Sequence, residues 1–330
     1  MTHERPTVSV VAPVYNEEQL LEEFCQRVAA ALEPLGEPFE IVLVNDGSRD
    51  RSPELMRAIH ARDPRVKAVS FSKNFGHQLA ITAGTDYAQG QAVVVIDSDL
   101  QDPPEVIPEL VAKWREGYEV VYAVRAEREG ETWFKTFTAA LFYRLIVKIT
   151  SVNIPVDTGD FRLMDRKVVD TLARMREHHR FMRGLSVWVG FKQAGVPYRR
   201  HARKAGDTKY PLRKMLKFAL DGITSFSYLP LQLATYMGFI TATLSLIFLI
   251  AVVGMRLFYV GDPVDSAFYG QASTLAMVLF IGAVQLVSIG IIGEYVGRIY
   301  DEVKGRPLYI VADALGFEDA GRPYSLRERQ

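Results

Sequence analysis

Ala92-Val93-Val94-Val95-Ile96-Asp97-Ser98-Asp99-Leu100-Gln101-Asp102-Pro103-Pro104-Glu105 is the stretch that decides the fold. Its five leading apolar residues, four of them β-branched, read as a strand buried on both faces of a parallel sheet. Asp97 and Asp99 fall where that strand ends, and Pro103-Pro104 turns the chain into a helix. Side chains alternate along a strand, so an extended backbone as far as Asp99 puts both carboxylates on one face. Two hard oxygen donors at the carboxyl end of a parallel strand suit a divalent cation that carries phosphates. An isolated Asp-x-Asp is more often a solvated acidic turn, so the weight of this reading rests on the remainder of the chain.

Upstream, strands and helices alternate. The pattern predicts a strand over Val8–Pro13, a helix over Leu20–Leu35 and a strand over Glu40–Asn45. A helix from about Pro53 to Ala61, a strand over Val66–Ser72 and a helix over Gln78–Gln89 follow, and the quoted strand comes next. This β-α-β-α order argues for an α/β fold with a parallel, doubly wound sheet, polar strand ends gathered on one edge. Those ends offer Glu17, Asp46, Asp97 and Asp99, with Gly47 and Ser48 for a tight turn. No Gly-x-Gly-x-x-Gly or phosphate-loop sequence follows the first strand, which disfavours a dinucleotide oxidoreductase or a P-loop nucleotidase. An acidic rim in place of a glycine cradle implies that a metal neutralises bound phosphates.

The 330 residues allow one large α/β domain and an appendage. Lysine plus arginine balances aspartate plus glutamate at 39 each, so no global basic field argues for nucleic acid as a partner. The single cysteine, Cys25, excludes an intramolecular disulfide and sits in an amphipathic helical pattern as a core residue. Met1-Thr-His-Glu-Arg-Pro6 leads into the first strand without an apolar signal segment, which predicts that the first domain stays in the cytosol. Two late stretches, 236–259 and 272–293, are apolar over the roughly 20 residues that cross a bilayer. Arg213, Lys214 and Lys217 precede them and Arg298, Lys304 and Arg306 follow, while the connector carries Asp262 and Asp265 but no Lys or Arg. That asymmetry places the N-terminal domain and both termini in the cytoplasm. The expected organisation is a cytosolic domain over 1–228, a transmembrane hairpin over 229–300 and a cytosolic tail over 301–330. Residues 133–149 and 211–228 read as amphipathic helices in the membrane interface, with a core-facing position on the sheet as the alternative.

Five segments carry a family resemblance: Val10-Val-Ala-Pro-Val-Tyr-Asn-Glu-Glu18, Val44-Asn-Asp-Gly-Ser48, Phe71-Ser-Lys-Asn-Phe-Gly-His-Gln78, Asp97-Ser-Asp-Leu-Gln-Asp-Pro-Pro-Glu105 and Thr158-Gly-Asp-Phe-Arg-Leu163. Together with the two spans they resemble family 2 glycosyltransferases of GT-A fold. Within these, the match is to polyprenyl-phosphate glycosyltransferases such as bactoprenol glucosyltransferases and dolichol-phosphate mannose synthases. The resemblance implies inverting transfer of one hexose, glucose from UDP-glucose, to undecaprenyl phosphate at the cytoplasmic face of a bacterial plasma membrane. The nucleotide sugar would be bound by Pro13, Tyr15, Glu17, Asp46, Asp97, Ser98, Asp99 and Gln101, with Glu17 and Asp46 at the base and ribose. Asp97 and Asp99 would serve the ribose and the Mg²⁺ or Mn²⁺ on the diphosphate, Asp99 as the metal ligand. Asp160 matches the position of the catalytic base, and Asp157 is an internal competitor. Arg125 and Lys135 match the holders of the lipid phosphate, with Arg128 a weaker candidate. Arg203, Lys209 and Tyr210 resemble a loop that closes over diphosphate and acceptor. Relatives also imply a homotetramer.

One physical reservation applies to the base. A phosphate monoester with a second pKa of about 6 is largely dianionic at neutral pH and needs little deprotonation, which gives Asp160 an orienting role instead. GDP-mannose as donor, a processive polysaccharide synthase and a component of a lipid-linked-sugar flippase are the alternatives. The Gln-x-x-Arg-Trp signature of processive synthases is missing from Arg183-Gly-Leu-Ser-Val-Trp188, and spans without a central ionisable residue argue against a transport pathway. Pro307-Leu-Tyr-Ile-Val311 is a short β-like run that is expected to pair with a neighbouring subunit.

Overall fold

Three of the strands in the computed structural model are buried at every residue: β1 (Val8–Val14), β2 (Phe39–Asn45) and β4 (Ala92–Val95). The model describes residues 5–126, 158–200, 229–258 and 263–317. With β3 (Val66–Phe71) they form a parallel array in the order β4-β1-β2-β3. Strands apolar on both faces need cover on both sides. The cover comes from α1 (Leu21–Leu32), α2 (Ser52–Arg62) and α4 (Ile107–Arg115) against one layer, and α3 (His77–Tyr87) with α5 (Arg166–Arg174) against the other. One charge lies inside this array. Glu40, 2% exposed, accepts from Ser9 Oγ and the Gln89 amide, both at 2.6 Å, and faces Lys67 Nζ at 2.8 Å. A buried carboxylate is tolerated only when its oxygens are paired in this way.

Beyond β4 the sheet departs from the all-parallel expectation. Its full order is β7-β5-β6-β4-β1-β2-β3-β8, and β6 (Thr158–Asp165) runs antiparallel between β4 and β5 (Val120–Arg125). The reason is where β6 starts. Thr158 pairs with Val124, at the carboxyl end of β5, so the chain re-enters from the rim and can only run back down the sheet. β7 (Gln193–Tyr198), after the short helix α6 (Met182–Trp188), is again parallel to β5.

A second correction concerns the quoted stretch. β4 ends at Val95, and Ser98 and Asp99 lie in a turn closed by Leu100 at φ 58°. Strand alternation therefore does not set the two carboxylates on one face; Asp99 acts on Asp97 from within the turn. A third concerns the tail. The strand is β8 (Val311–Leu315), later than the run read from the sequence, and it pairs antiparallel with β3 of the same chain. Tyr309 stacks on Phe71 and Phe317 packs edge-on against Tyr87, so apolar anchors on either side of β8 hold it on an otherwise open sheet edge.

Cys25 lies on the buried face of α1, 5% exposed, and burial with the nearby charges of Asp63 and Glu22 pushes its thiol up to about 12. With essentially no thiolate at pH 8, the native protein is expected to resist 5,5′-dithiobis(2-nitrobenzoate), and labelling is expected to track unfolding by denaturant. Stoichiometric labelling of the folded protein would place this face of α1 outside the core.

The chain divides into two compact units, Met1–Phe218 with Arg306–Gln330, and Ala219–Gly305. In the second, α7 (Leu229–Phe258) and α8 (Pro263–Val303) contain apolar segments, Leu229–Ala251 and Thr274–Val303, long enough to cross a membrane. Large apolar side chains such as Phe239, Leu249, Leu279 and Leu286 are exposed along them. Such a surface is stable in lipid and costly in water. The expected interfacial helices at 133–149 and 211–228 lie outside the described residues.

Candidate active site

The carboxyl ends of β1, β2 and β4 and the start of β6 form one rim. At its β2 corner, Gly47 adopts φ 68°, and a Cβ there would lie 2.6 Å from the Asn74 amide nitrogen, so only glycine permits the approach of residues 73–76. Asp46, 4% exposed, receives Phe75 N–H at 2.7 Å and Gly76 N–H at 3.0 Å, and its own carbonyl accepts from Asn74 Nδ2 at 3.0 Å. Burial pushes its pKa up, against the pull of those two amides. Its carboxylate thus fixes the loop that delivers α3. On the β1 side, Asn16 at φ 56° donates its amide to Ser48 Oγ at 3.0 Å, and the Glu17 amide donates to Ser52 Oγ at 3.1 Å. Tyr15 is 46% exposed on this corner. Ser98, 3% exposed, gives its hydroxyl to the Pro13 carbonyl at 2.7 Å, so these two residues tie the β4 turn to β1.

The antiparallel register of β4 with β6 does the rest. Val95 pairs with Arg162 as the last rung of that ladder, and beyond it Asp97 and Asp160 both approach one imidazole. His77, the first residue of α3, stands between them, its Nε2 3.2 Å from Asp160 Oδ2 and 3.5 Å from Asp97 Oδ1. Asp160, 6% exposed, also receives Arg183 Nε at 2.9 Å, Arg183 Nη2 at 3.3 Å and Gln78 Nε2 at 3.3 Å. Gln78 Oε1 in turn accepts from the Met182 amide at 2.9 Å, which locks α3 to α6. Burial opposes the ionised form of Asp160, but the Arg183 charge and the hydrogen bonds from His77 and Arg183 prevail and hold it far below the usual carboxylate range. Asp97 goes the other way. Burial, with Asp160, Asp102 and Asp99 around it and His77 opposing, pushes it up to about 6. Burial works against the His77 imidazolium, yet the Asp160 hydrogen bond and the Asp97 charge raise its pKa.

Asp99 Oδ1 accepts the Gln101 amide at 3.1 Å inside the turn. Asp102, 1% exposed, is a strut: it accepts from Tyr198 Oη and from Arg200 Nε at 3.1 Å. Arg125 ends β5 beside Gly159, where a Cβ would sit 3.2 Å from its Nη2, and its buried Nε has no hydrogen-bond partner among the described residues. Arg162, 4% exposed beneath Asp160, bonds Ser186 Oγ and the Gly159 carbonyl; burial lowers its pKa to about 10, with the Asp160 charge acting against that. Lys135, Arg203 and Lys209, with Asp157, Arg128 and Tyr210, lie outside the described residues. Sequence reading missed His77, Gln78, Arg183 and the strut role of Asp102. His77-Gln78 stood in a quoted motif without a role; Arg183 carried no local signal, since only the fold brings it to Asp160.

The donor set fits a divalent cation in one particular manner. Asp97 Oδ1 is buried without a hydrogen-bond partner, a charge cluster surrounds it, and no three His, Cys, Asp or Glu side chains converge as a complete cage among the described residues. Oxygens of this kind suit a hard cation that takes its remaining ligands from substrate phosphates and water, as Mg²⁺ habitually does.

A parallel half-sheet with an acidic rim, completed by an antiparallel strand that returns a further carboxylate to that rim, is the GT-A architecture of glycosyltransferases. The model for Glycosyl transferase family 2 matches residues 9–173. The chain belongs to glycosyltransferase family 2. It is 54% identical to the uncharacterized glycosyltransferase YkcC of Bacillus subtilis (strain 168) over 311 residues, 94% of this chain and 95% of that one. Identity is 50% to the uncharacterized glycosyltransferase sll0501 of Synechocystis sp. (strain ATCC 27184 / PCC 6803 / Kazusa), covering 94% and 96% of the two chains. The SfII prophage-derived bactoprenol glucosyl transferase of Shigella flexneri is 43% identical, covering 92% of this chain and 97% of that one.

Proposed function

We propose that this glycosyltransferase transfers a single hexose, glucose from UDP-glucose, to a polyprenyl phosphate at the cytoplasmic face of the membrane, with inversion and with Mg²⁺ or Mn²⁺. The observation that carries the reading is the Asp97–Asp99 turn, with one buried carboxylate oxygen unpartnered and further carboxylates around it. The bactoprenol glucosyl transferase at 43% identity, and two helices long and apolar enough to cross a membrane, support a lipid-linked acceptor. Asp99 would hold the cation, with Asp97 beside it, and the bound cation would supply charge neutralisation for the departing diphosphate. Pro13, Tyr15, Glu17 and Asp46 line or brace the nucleotide end. Arg125 offers an unused buried N–H to an acceptor phosphate, a charge-assisted contact that arginine geometry favours. Lys135, Arg203 and Lys209 are assigned to phosphate binding on the resemblance alone. Asp160 orients the site, because four donors already occupy it and a dianionic acceptor needs no base. The lysine and arginine residues flanking the spans support cytoplasmic termini, and a homotetramer is proposed on the resemblance alone.

The test is transfer in membranes containing the protein, undecaprenyl phosphate, Mg²⁺ and a panel of labelled nucleotide sugars. Label from UDP-glucose is expected in the organic extract as one hexose per lipid, and EDTA is expected to abolish it. Label entering only from GDP-mannose would replace the donor, and label in polymer would replace the reaction.

A further inference from the structure

The carboxylate of Asp160 has partners besides His77. Arg183 already binds both of its oxygens, at 2.9 and 3.3 Å, Gln78 adds an N–H at 3.3 Å, and the Arg183 guanidinium matches its charge. Asp97 is in the opposite condition. Its Oδ1 is buried and accepts no hydrogen bond, the Asp160 charge acts on it, and Asp99 and Asp102 add two more negative charges nearby. Neighbouring carboxylates repel unless a positive or donor group stands between them. The group that stands there is His77, with Nε2 at 3.2 Å from one and 3.5 Å from the other. An ionised carboxylate only accepts, so the contact with Asp160 fixes the tautomer: Nε2 carries the hydrogen. The imidazole is anchored from below as well, because it opens α3, whose preceding loop is held by Asp46 through the Phe75 and Gly76 amides.

We propose that His77 is a positioning residue for the transfer reaction, seated on Asp160 and holding the Asp97 carboxylate in register at the donor-binding rim. The inference rests on the donor reading above and adds to it the residue through which Asp160 and the Asp97–Asp99 turn communicate. It also gives the Phe75-Gly76-His77-Gln78 motif a division of labour: the two amides clasp Asp46, the imidazole serves Asp97, and the Gln78 side chain ties Asp160 to α6.

A double-mutant cycle on the full-length protein in detergent decides it, with UDP-glucose and Mg²⁺ as the probe and binding measured by calorimetry alongside steady-state transfer. Partners that orient a metal-site or donor-site group are worth roughly 10- to 100-fold, so His77→Ala is expected to weaken UDP-glucose binding by about that factor. His77→Gln, which keeps an N–H of similar reach, is expected to recover most of the loss. In the Asp97→Asn background, His77→Ala is expected to cost less than about twofold more, since coupled residues are not additive. His77 is 45% exposed at its side chain, so thermal unfolding is expected to stay near that of the unsubstituted protein. Unaltered binding by His77→Ala, or an undiminished loss in the Asp97→Asn background, would overturn the inference while leaving the donor reading intact. Failure of the unsubstituted protein to bind UDP-glucose would remove the donor reading, and this inference with it.

Discussion

Asp99→Ala is expected to lower sugar transfer on the order of a thousandfold, equivalent to about 4 kcal/mol of lost transition-state stabilisation. Asp99 is partly exposed in a turn, and its Oδ1 accepts one backbone amide, from Gln101 at 3.1 Å. Loss of such a hydrogen bond costs about 1 kcal/mol, and a melting temperature matching that of the unsubstituted protein is the expected control. The apolar segments Leu229–Ala251 and Thr274–Val303 are remote in sequence from the substitution, so recovery in the membrane fraction is expected to be unchanged. The deficit therefore belongs to the chemistry, where charge must be neutralised as the diphosphate departs. Asp99→Asn separates the two contributions: it keeps an acceptor for the Gln101 amide and removes the charge, and it is expected to be nearly as inactive as Asp99→Ala. The check is labelled hexose in lipid extract, with calorimetric UDP binding in the presence and absence of Mg²⁺. Near-normal turnover by either variant would take the cation away from Asp99.

The features legible in the sequence are those that depend on local pattern. Val8–Val14, Phe39–Asn45 and Ala92–Val95 announce buried parallel strands because both faces must be apolar. The chemistry of Asp97 and Asp99 is equally plain. Their geometry is not, because Ser98 turns inward to the Pro13 carbonyl and Leu100 takes φ 58°, and neither event has a local signature. Strand direction is a matter of where the chain re-enters the sheet, so the reversal of β6 was invisible, and with it the return of Asp160 to the imidazole that Asp97 also approaches. Arg183 reaches Asp160 only once α6 has packed on that strand, whereas Arg162 stands two residues from it on β6 itself. The tail shows the same limit: a β-like run was readable at residues 307–311, but its strand begins at Val311 and its partner, β3, lies 240 residues away in sequence (Val311 against Phe71).

Asp160→Asn is expected to be damaging twice over, and the two kinds of damage separate. The buried carboxylate balances Arg183 directly and Arg162 at longer range, so its loss leaves guanidinium groups without their counter-charge. Breaking such a pair costs about 3–5 kcal/mol, and a lower melting temperature is expected. Asp160→Asn combined with Arg183→Met removes both charges of the pair and is expected to regain much of that stability without regaining transfer. Because the folded pKa of Asp160 is depressed, its stabilisation is complete above the unfolded value of about 3.9 and fades only as pH falls below that toward the folded pKa. Asp160 therefore carries no proton to exchange between pH 5 and 9, and no limb of the pH–rate profile in that window belongs to it. The acid limb is expected from the acceptor phosphate, whose second pKa is about 6, together with Asp97, which burial pushes up to about 6, and the residual rate of Asp160→Asn is expected to keep an acid limb. A residual rate that loses this limb would assign the proton to Asp160 and restore it as the base. A double variant that recovers both stability and transfer would show that the carboxylate serves only the fold.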